Sequence, residues 1–120
     1  MKRFMYAFKG VMFVFKNECN FRLHIIATVA VIFSGFLFSI TKTEWLFIIF
    51  AVSIVLSFEM INSAVEYLSD FVSPDYSDII KTVKDASAGA VLISATGAFI
   101  VGTIIFIPKI IEILLSVSVN

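Results

Sequence analysis

The sequence predicts an all-α membrane protein built from an N-terminal amphipathic surface helix and three transmembrane helices. Apolar residues make up 60% of the 120-residue chain. The mean hydropathy of +1.04 exceeds what an ordinary soluble core requires. The apolar residues gather into runs long enough to cross a bilayer. Charges sit at the ends of those runs, apart from one polar stripe inside the second. A chain of this length is expected to form one domain over residues 1–120.

The first sixteen residues are read as the surface helix. Phe4, Phe8, Val11 and Phe15 recur at helical spacing, while Lys2, Lys9 and Lys16 fall on the other side. Such a helix suits anionic headgroups with its lysines and the acyl boundary with its phenylalanines, or else packs on other protein. It lacks the continuous apolar run of a signal peptide, so it is expected to remain in the mature protein. The first span is expected over residues 23–40, an almost unbroken apolar run. Such a run covers about 27 Å at 1.5 Å per residue. Thr41-Lys42-Thr43-Glu44 is a short polar turn, and Trp45 is expected to anchor at the membrane interface.

The second span is expected over residues 45–68. Its first half is lipid-compatible. Its second half carries Glu59, Asn62 and Glu66, spaced so that they project within about 60° of one another on a helix. Carboxylates at that depth must face protein, water or a ligand. Ser73-Pro74-Asp75-Tyr76-Ser77-Asp78 then forms a breaker-rich loop with capping residues for the third helix. The third span is expected over residues 86–107, ending near Pro108-Lys109 ahead of a short apolar tail. It carries small residues every fourth position, at Ala86, Ala90, Ser94, Ala98 and Gly102, a stripe suited to close packing or oligomer contact.

Basic residues set the expected orientation. Lys2, Arg3, Lys9, Lys16, Arg22, Lys81 and Lys84 fall on one side, and Lys42 and Lys109 on the other. The N-terminus and the second loop are therefore expected in the cytoplasm. Nine basic and nine acidic residues cancel, which argues against a nucleic-acid partner. The single Cys19 excludes an intramolecular disulfide and is expected to be a small buried or interfacial side chain.

The chemistry is concentrated on the cytoplasmic side. Asn17-Glu18-Cys19-Asn20-Phe21-Arg22 brings a carboxylate, two carboxamides and a guanidinium to the mouth of the first span. Glu18 and Glu66 are hard oxygen donors suited to Mg²⁺ completed by nucleotide phosphates. Glu18 and Arg22 are also spaced for an i, i+4 ion pair. Lys84-Asp85 opens the small-residue stretch Ala86 to Ala90, where a cation can reach phosphate oxygens or simply mark the cytoplasmic side. No Walker loop, dinucleotide fingerprint or zinc spacing is present, so a nucleotide site would have to be built from helix side chains. Glu59 is the better candidate base, with helix packing as its plainer role. The lone His24 reads as an interfacial hydrogen bonder rather than a metal ligand or base.

Together these segments resemble the small prokaryotic integral-membrane lipid kinases that include diacylglycerol kinase and undecaprenol kinase. The carrying motifs are Tyr6-Ala7-Phe8-Lys9-Gly10, Asn17 to His24, Glu59 to Glu66 and Lys84 to Leu92, in the family's order and spacing. The resemblance implies a homotrimer with sites shared between subunits, phosphorylating a lipid alcohol at the cytoplasmic face with ATP and Mg²⁺. It implies Glu59 as general base on the lipid hydroxyl and Glu18 and Glu66 as metal ligands. It further implies Lys84, Asp85 and Tyr6 as nucleotide contacts, Asn62 near the transferred phosphate, and Arg22 near the lipid headgroup. The Asn-Glu-x-Asn-Phe-Arg-x-His form is closer to the undecaprenol-kinase branch, with diacylglycerol as the alternative substrate. The chain departs from many relatives at Ser77, where they carry a histidine after the tyrosine. From the residues alone, intramembrane carboxylates also fit a small non-catalytic transporter or channel subunit.

Overall fold

The computed structural model describes residues 1–120 as four helices: α1 (Lys2–Asn17), α2 (Cys19–Leu37), α3 (Lys42–Val72) and α4 (Asp78–Val119). The last three are long and apolar enough to cross a membrane.

A sharp elbow separates α1 from α2 at Glu18, whose backbone is extended at φ −112° and ψ 111°. The open carbonyls at the end of α1 need donors, and Arg22 supplies them. Its Nη1 donates to the Phe15 carbonyl at 2.9 Å and to the Lys16 carbonyl at 2.8 Å. The i, i+4 ion pair that the sequence allows between Glu18 and Arg22 does not form, because the guanidinium turns back on α1. Phe21, buried inside the elbow, fixes the angle from the apolar side. Cys19 is exposed, which excludes the buried alternative expected of it and leaves the interfacial one.

α2 closes in a Schellman motif: Ile40 N–H donates to the Gly35 carbonyl at 3.1 Å and Ser39 N–H to the Phe36 carbonyl at 3.3 Å. Ser39 takes the left-handed position at φ 50°. α3 then starts in a capping box, in which the Thr41 hydroxyl accepts from Glu44 N–H while the Glu44 carboxylate accepts from Thr41 N–H. Trp45 lies against the protein, its ring centroid 4.9 Å from that of Phe36. The indole fills the space above Gly35, so the expected membrane anchor joins α2 to α3.

α3 packs most extensively on α4 and also meets α2 and α1. At the end of the bundle away from the elbow, Ile40, Ile48 and Ile105 form the core, with Trp45, Val52 and Phe106 against it. The sequence predicts that the last span ends near Pro108, yet α4 continues to Val119. Proline removes one helical hydrogen bond, but fraying the flanking apolar segment would strip many backbone groups of their partners. Lys109, next to that proline, reaches Glu44 at 3.2 Å and ties the segment to the start of α3.

Only ten of the 120 residues are buried, and Glu59, Ser63 and Ser69, all on α3, are among them. Covering so many apolar side chains requires lipid or other copies of the chain. α2 and α4 both rest on α3, leaving between them an apolar cavity of about 390 Å³ lined by Ala27, Val31, Val55, Ala98 and Phe99, with His24 in its wall.

Candidate active site

α3 supplies the centre of the site. Its expected polar stripe forms, but the side chains divide into two groups. Glu59 is only 5% exposed and points toward α2. There its Oε1 lies 3.1 Å from Nε2 of His24. One turn on, Asn62 Nδ2 donates to Glu66 Oε1 at 3.4 Å. Asn62 Oδ1 is buried without a partner. A buried acceptor left open costs desolvation without return unless a ligand or partner donates to it.

Glu18 stands at the elbow, at the same end of the bundle. Phe13 of α1 and Tyr67 of α3 pack with ring centroids 5.4 Å apart, which docks the last turns of α1 beside Glu66. Neither Glu18 nor Glu66 makes an ion pair. Neither carboxylate therefore has a lysine or arginine beside it. No cluster of three or more His, Cys, Asp or Glu forms within the chain, so a metal held here would take at most two protein carboxylates.

The other expected site residues lie apart from Glu59. Lys84 donates to Asp70 across the α3–α4 junction, and Asp85 pairs with Lys81 at 2.6 Å along α4. Tyr6 is 64% exposed on the free half of α1. Arg22 is committed to the α1 carbonyls, which leaves its aliphatic stem and remaining nitrogens at the elbow. In the loop before α4, the Tyr76 hydroxyl donates to Asp78 at 2.7 Å, a bond that raises its pKa above the ordinary tyrosine value.

Two partners escape the sequence reading. His24 looks isolated because its partner is 35 positions away, on another helix; the available signal was an ionisable group inside an apolar run, which requires a partner. Asp70 reads as a loop residue and becomes the holder of Lys84.

The profile of the prokaryotic diacylglycerol kinase family matches residues 5–106. The chain belongs to that family. The lipid kinase is 35% identical over 108 residues to an undecaprenol kinase of Bacillus subtilis, covering 90% of this chain and 88% of that protein. It is 33% identical over 112 residues to a diacylglycerol kinase of Synechocystis, covering 92% of this chain but 64% of that longer protein. It is also 31% identical over 89 residues to a diacylglycerol kinase of Haemophilus influenzae, covering 74% and 75% of the two chains. Membership in a kinase family implies ATP as co-substrate and a lipid as acceptor, and it displaces the transporter reading of the buried carboxylates. Every candidate residue of the lipid kinase, from Tyr6 to Asp85, falls inside the matched segment, whereas Pro108 and the end of α4 fall outside it.

Proposed function

We propose that this lipid kinase phosphorylates undecaprenol to undecaprenyl phosphate at the cytoplasmic membrane face, with Glu59 as the general base. The observation that carries the mechanism is the buried Glu59 carboxylate, 5% exposed, with His24 Nε2 of another helix 3.1 Å from it. A carboxylate so placed is fixed in direction and shielded from water, which suits it to take a proton from an alcohol. The lipid hydroxyl gives its proton to Glu59 as its oxygen bonds to the γ-phosphorus. The bond from that phosphorus to the β,γ-bridging oxygen breaks, and ADP leaves. The work of the chain is positioning and charge placement, since phosphoryl transfer passes through a loose transition state.

Glu18 and Glu66 fit a magnesium ion: they are hard donors with no basic partner, and two carboxylates plus phosphate oxygens are a usual set. Bound there, magnesium would neutralise phosphate charge. Asn62, whose Nδ2 donates to the metal candidate Glu66, is assigned to the neighbourhood of the transferred phosphoryl group. Lys84, Asp85 and Tyr6 are assigned to the nucleotide and Arg22 to the lipid headgroup. Lys84 would exchange Asp70 for a phosphate oxygen. The assembly is a homotrimer with shared sites, and the N-terminus is cytoplasmic.

The preference for undecaprenol rests on the Asn17-Glu18-x-Asn20-Phe21-Arg22-x-His24 form and on the Bacillus relative, which the chain covers over most of its length. Diacylglycerol remains the alternative. The test is transfer of label from γ-labelled ATP to undecaprenol and to diacylglycerol, assayed side by side in the same bilayers. A higher kcat/KM is expected for undecaprenol, and a higher value for diacylglycerol reverses the assignment. Glu59→Gln is expected to lower kcat by about 10²- to 10⁴-fold, the range of general-base contributions. Retention of full activity removes Glu59 as base.

A further inference from the structure

We propose that His24 is the positioning residue of Glu59, holding one carboxylate oxygen so that the other faces the lipid hydroxyl. The inference rests on the reading of Glu59 as base. Its geometric support is independent of that reading. His24 Nε2 lies 3.1 Å from Glu59 Oε1, and the two side chains are 30% and 7% exposed respectively. Glu59 has no other hydrogen-bond or ion-pair partner in the chain, so this contact is its one polar restraint. His24 also walls the apolar cavity between α2 and α4, which Glu59 does not line. The imidazole thus stands between an apolar space and the buried carboxylate.

The contact engages Oε1 and leaves Oε2 as the free acceptor of the carboxylate. Helix geometry supports the same division. Thr28, one turn beyond His24, donates its hydroxyl to the His24 carbonyl at 2.7 Å and lines the cavity as well. The hydroxyl of Thr28 is thus directed at the backbone, and His24 is the polar side chain on this part of α2 that reaches Glu59.

The test uses two polar replacements of different reach. A glutamine amide can place its nitrogen near the position of Nε2, whereas an asparagine amide stops near Nδ1. In bilayers, His24→Asn is expected to lower kcat about 10- to 100-fold with KM for ATP and lipid within about threefold of wild type, the signature of a misplaced group. His24→Gln is expected to keep at least about a third of the wild-type kcat, since it restores the donor. Equal impairment of both variants overturns the proposal, as does wild-type kcat in His24→Asn. A loss confined to lipid KM also overturns it, since His24 would then act as a wall of the lipid site. Lower thermal stability in both variants with unchanged kcat in the folded protein reduces the contact to a structural pair. Glu59→Gln is measured alongside: if it is inactive while His24→Asn is fully active, only the positioning role fails. If Glu59→Gln is active, the base assignment itself fails.

Discussion

At 1.5 Å per residue, Glu59 lies about 21 Å along α3 from Trp45 and Glu66 about 31 Å, which spans a hydrocarbon layer of roughly 30 Å. The two glutamates meet different surroundings: Glu59 is buried against His24, whereas Glu66 is two turns nearer the α1 elbow and only half-buried. A carboxylate buried within a spanning helix needs a polar partner, and His24 is the one Glu59 has. Glu66 and Glu18 have no such need, and both are left without a basic partner. This contrast accords with the proposed roles, Glu59 as base and Glu18 and Glu66 as metal donors. Glu18→Gln and Glu66→Gln are each expected to raise the magnesium concentration needed for half-maximal transfer, by about tenfold or more when a carboxylate donor is lost. Titrating activity against magnesium, with circular dichroism as a check on folding, measures it. Unaltered magnesium dependence in both variants would falsify their role as ligands.

The connections between elements are where sequence and structure differ most instructively. The polar stripe Glu59 to Glu66 was legible because helical period fixes which face it occupies. The joints were not, because each depends on a residue contacted through space. Arg22 is spaced for Glu18 yet caps α1, since four unsatisfied carbonyls at a helix end attract a five-donor guanidinium. Trp45 has the composition of an interfacial anchor but meets Gly35 instead. A Cβ added at Gly35 would lie 2.6 Å from the Trp45 ring, closer than any relaxed contact. Gly35→Ala is expected to destabilise the kinase by about 1 to 3 kcal/mol through overpacking. Thermal unfolding in detergent reads it as a lower Tm, and an unchanged Tm would mean that the indole yields freely. Four residues on, Ser39 holds the left-handed position at φ 50°, which side-chain-bearing residues adopt at a cost of roughly 1 to 2 kcal/mol. Ser39→Gly removes that strain but frees the unfolded chain, so a net gain of about 0.5 to 1 kcal/mol is expected. The same unfolding measurement checks the sign.

For the whole molecule, the candidate residues do not all gather within one chain. The expected nucleotide contact Lys84 is held by Asp70, about 16 Å along α3 from Glu59, too far to touch a phosphoryl group next to that carboxylate. Tyr6 projects from α1 with 64% of its surface free. Along α4, a Cβ added at Gly89, Gly97 or Gly102 would meet nothing within 4 Å, which leaves room for another helix to approach. The proposed cyclic arrangement would set the Lys84 of one subunit toward the Glu59 of the next at every junction. Mixing two inactive variants separates this assembly from a self-contained subunit. Glu59→Gln and Lys84→Ala subunits, unfolded together and co-refolded in equal amounts, would each lack one half of a shared site. In a cyclic trimer of random composition, about a quarter of the junctions then join an intact Glu59 to an intact Lys84, so about a quarter of wild-type activity is expected to return. Refolding each variant alone gives the baseline. If the mixture stays at that baseline while wild type refolded in the same way is active, both residues serve from one subunit, and Lys84 must leave Asp70 to reach a nucleotide within its own chain.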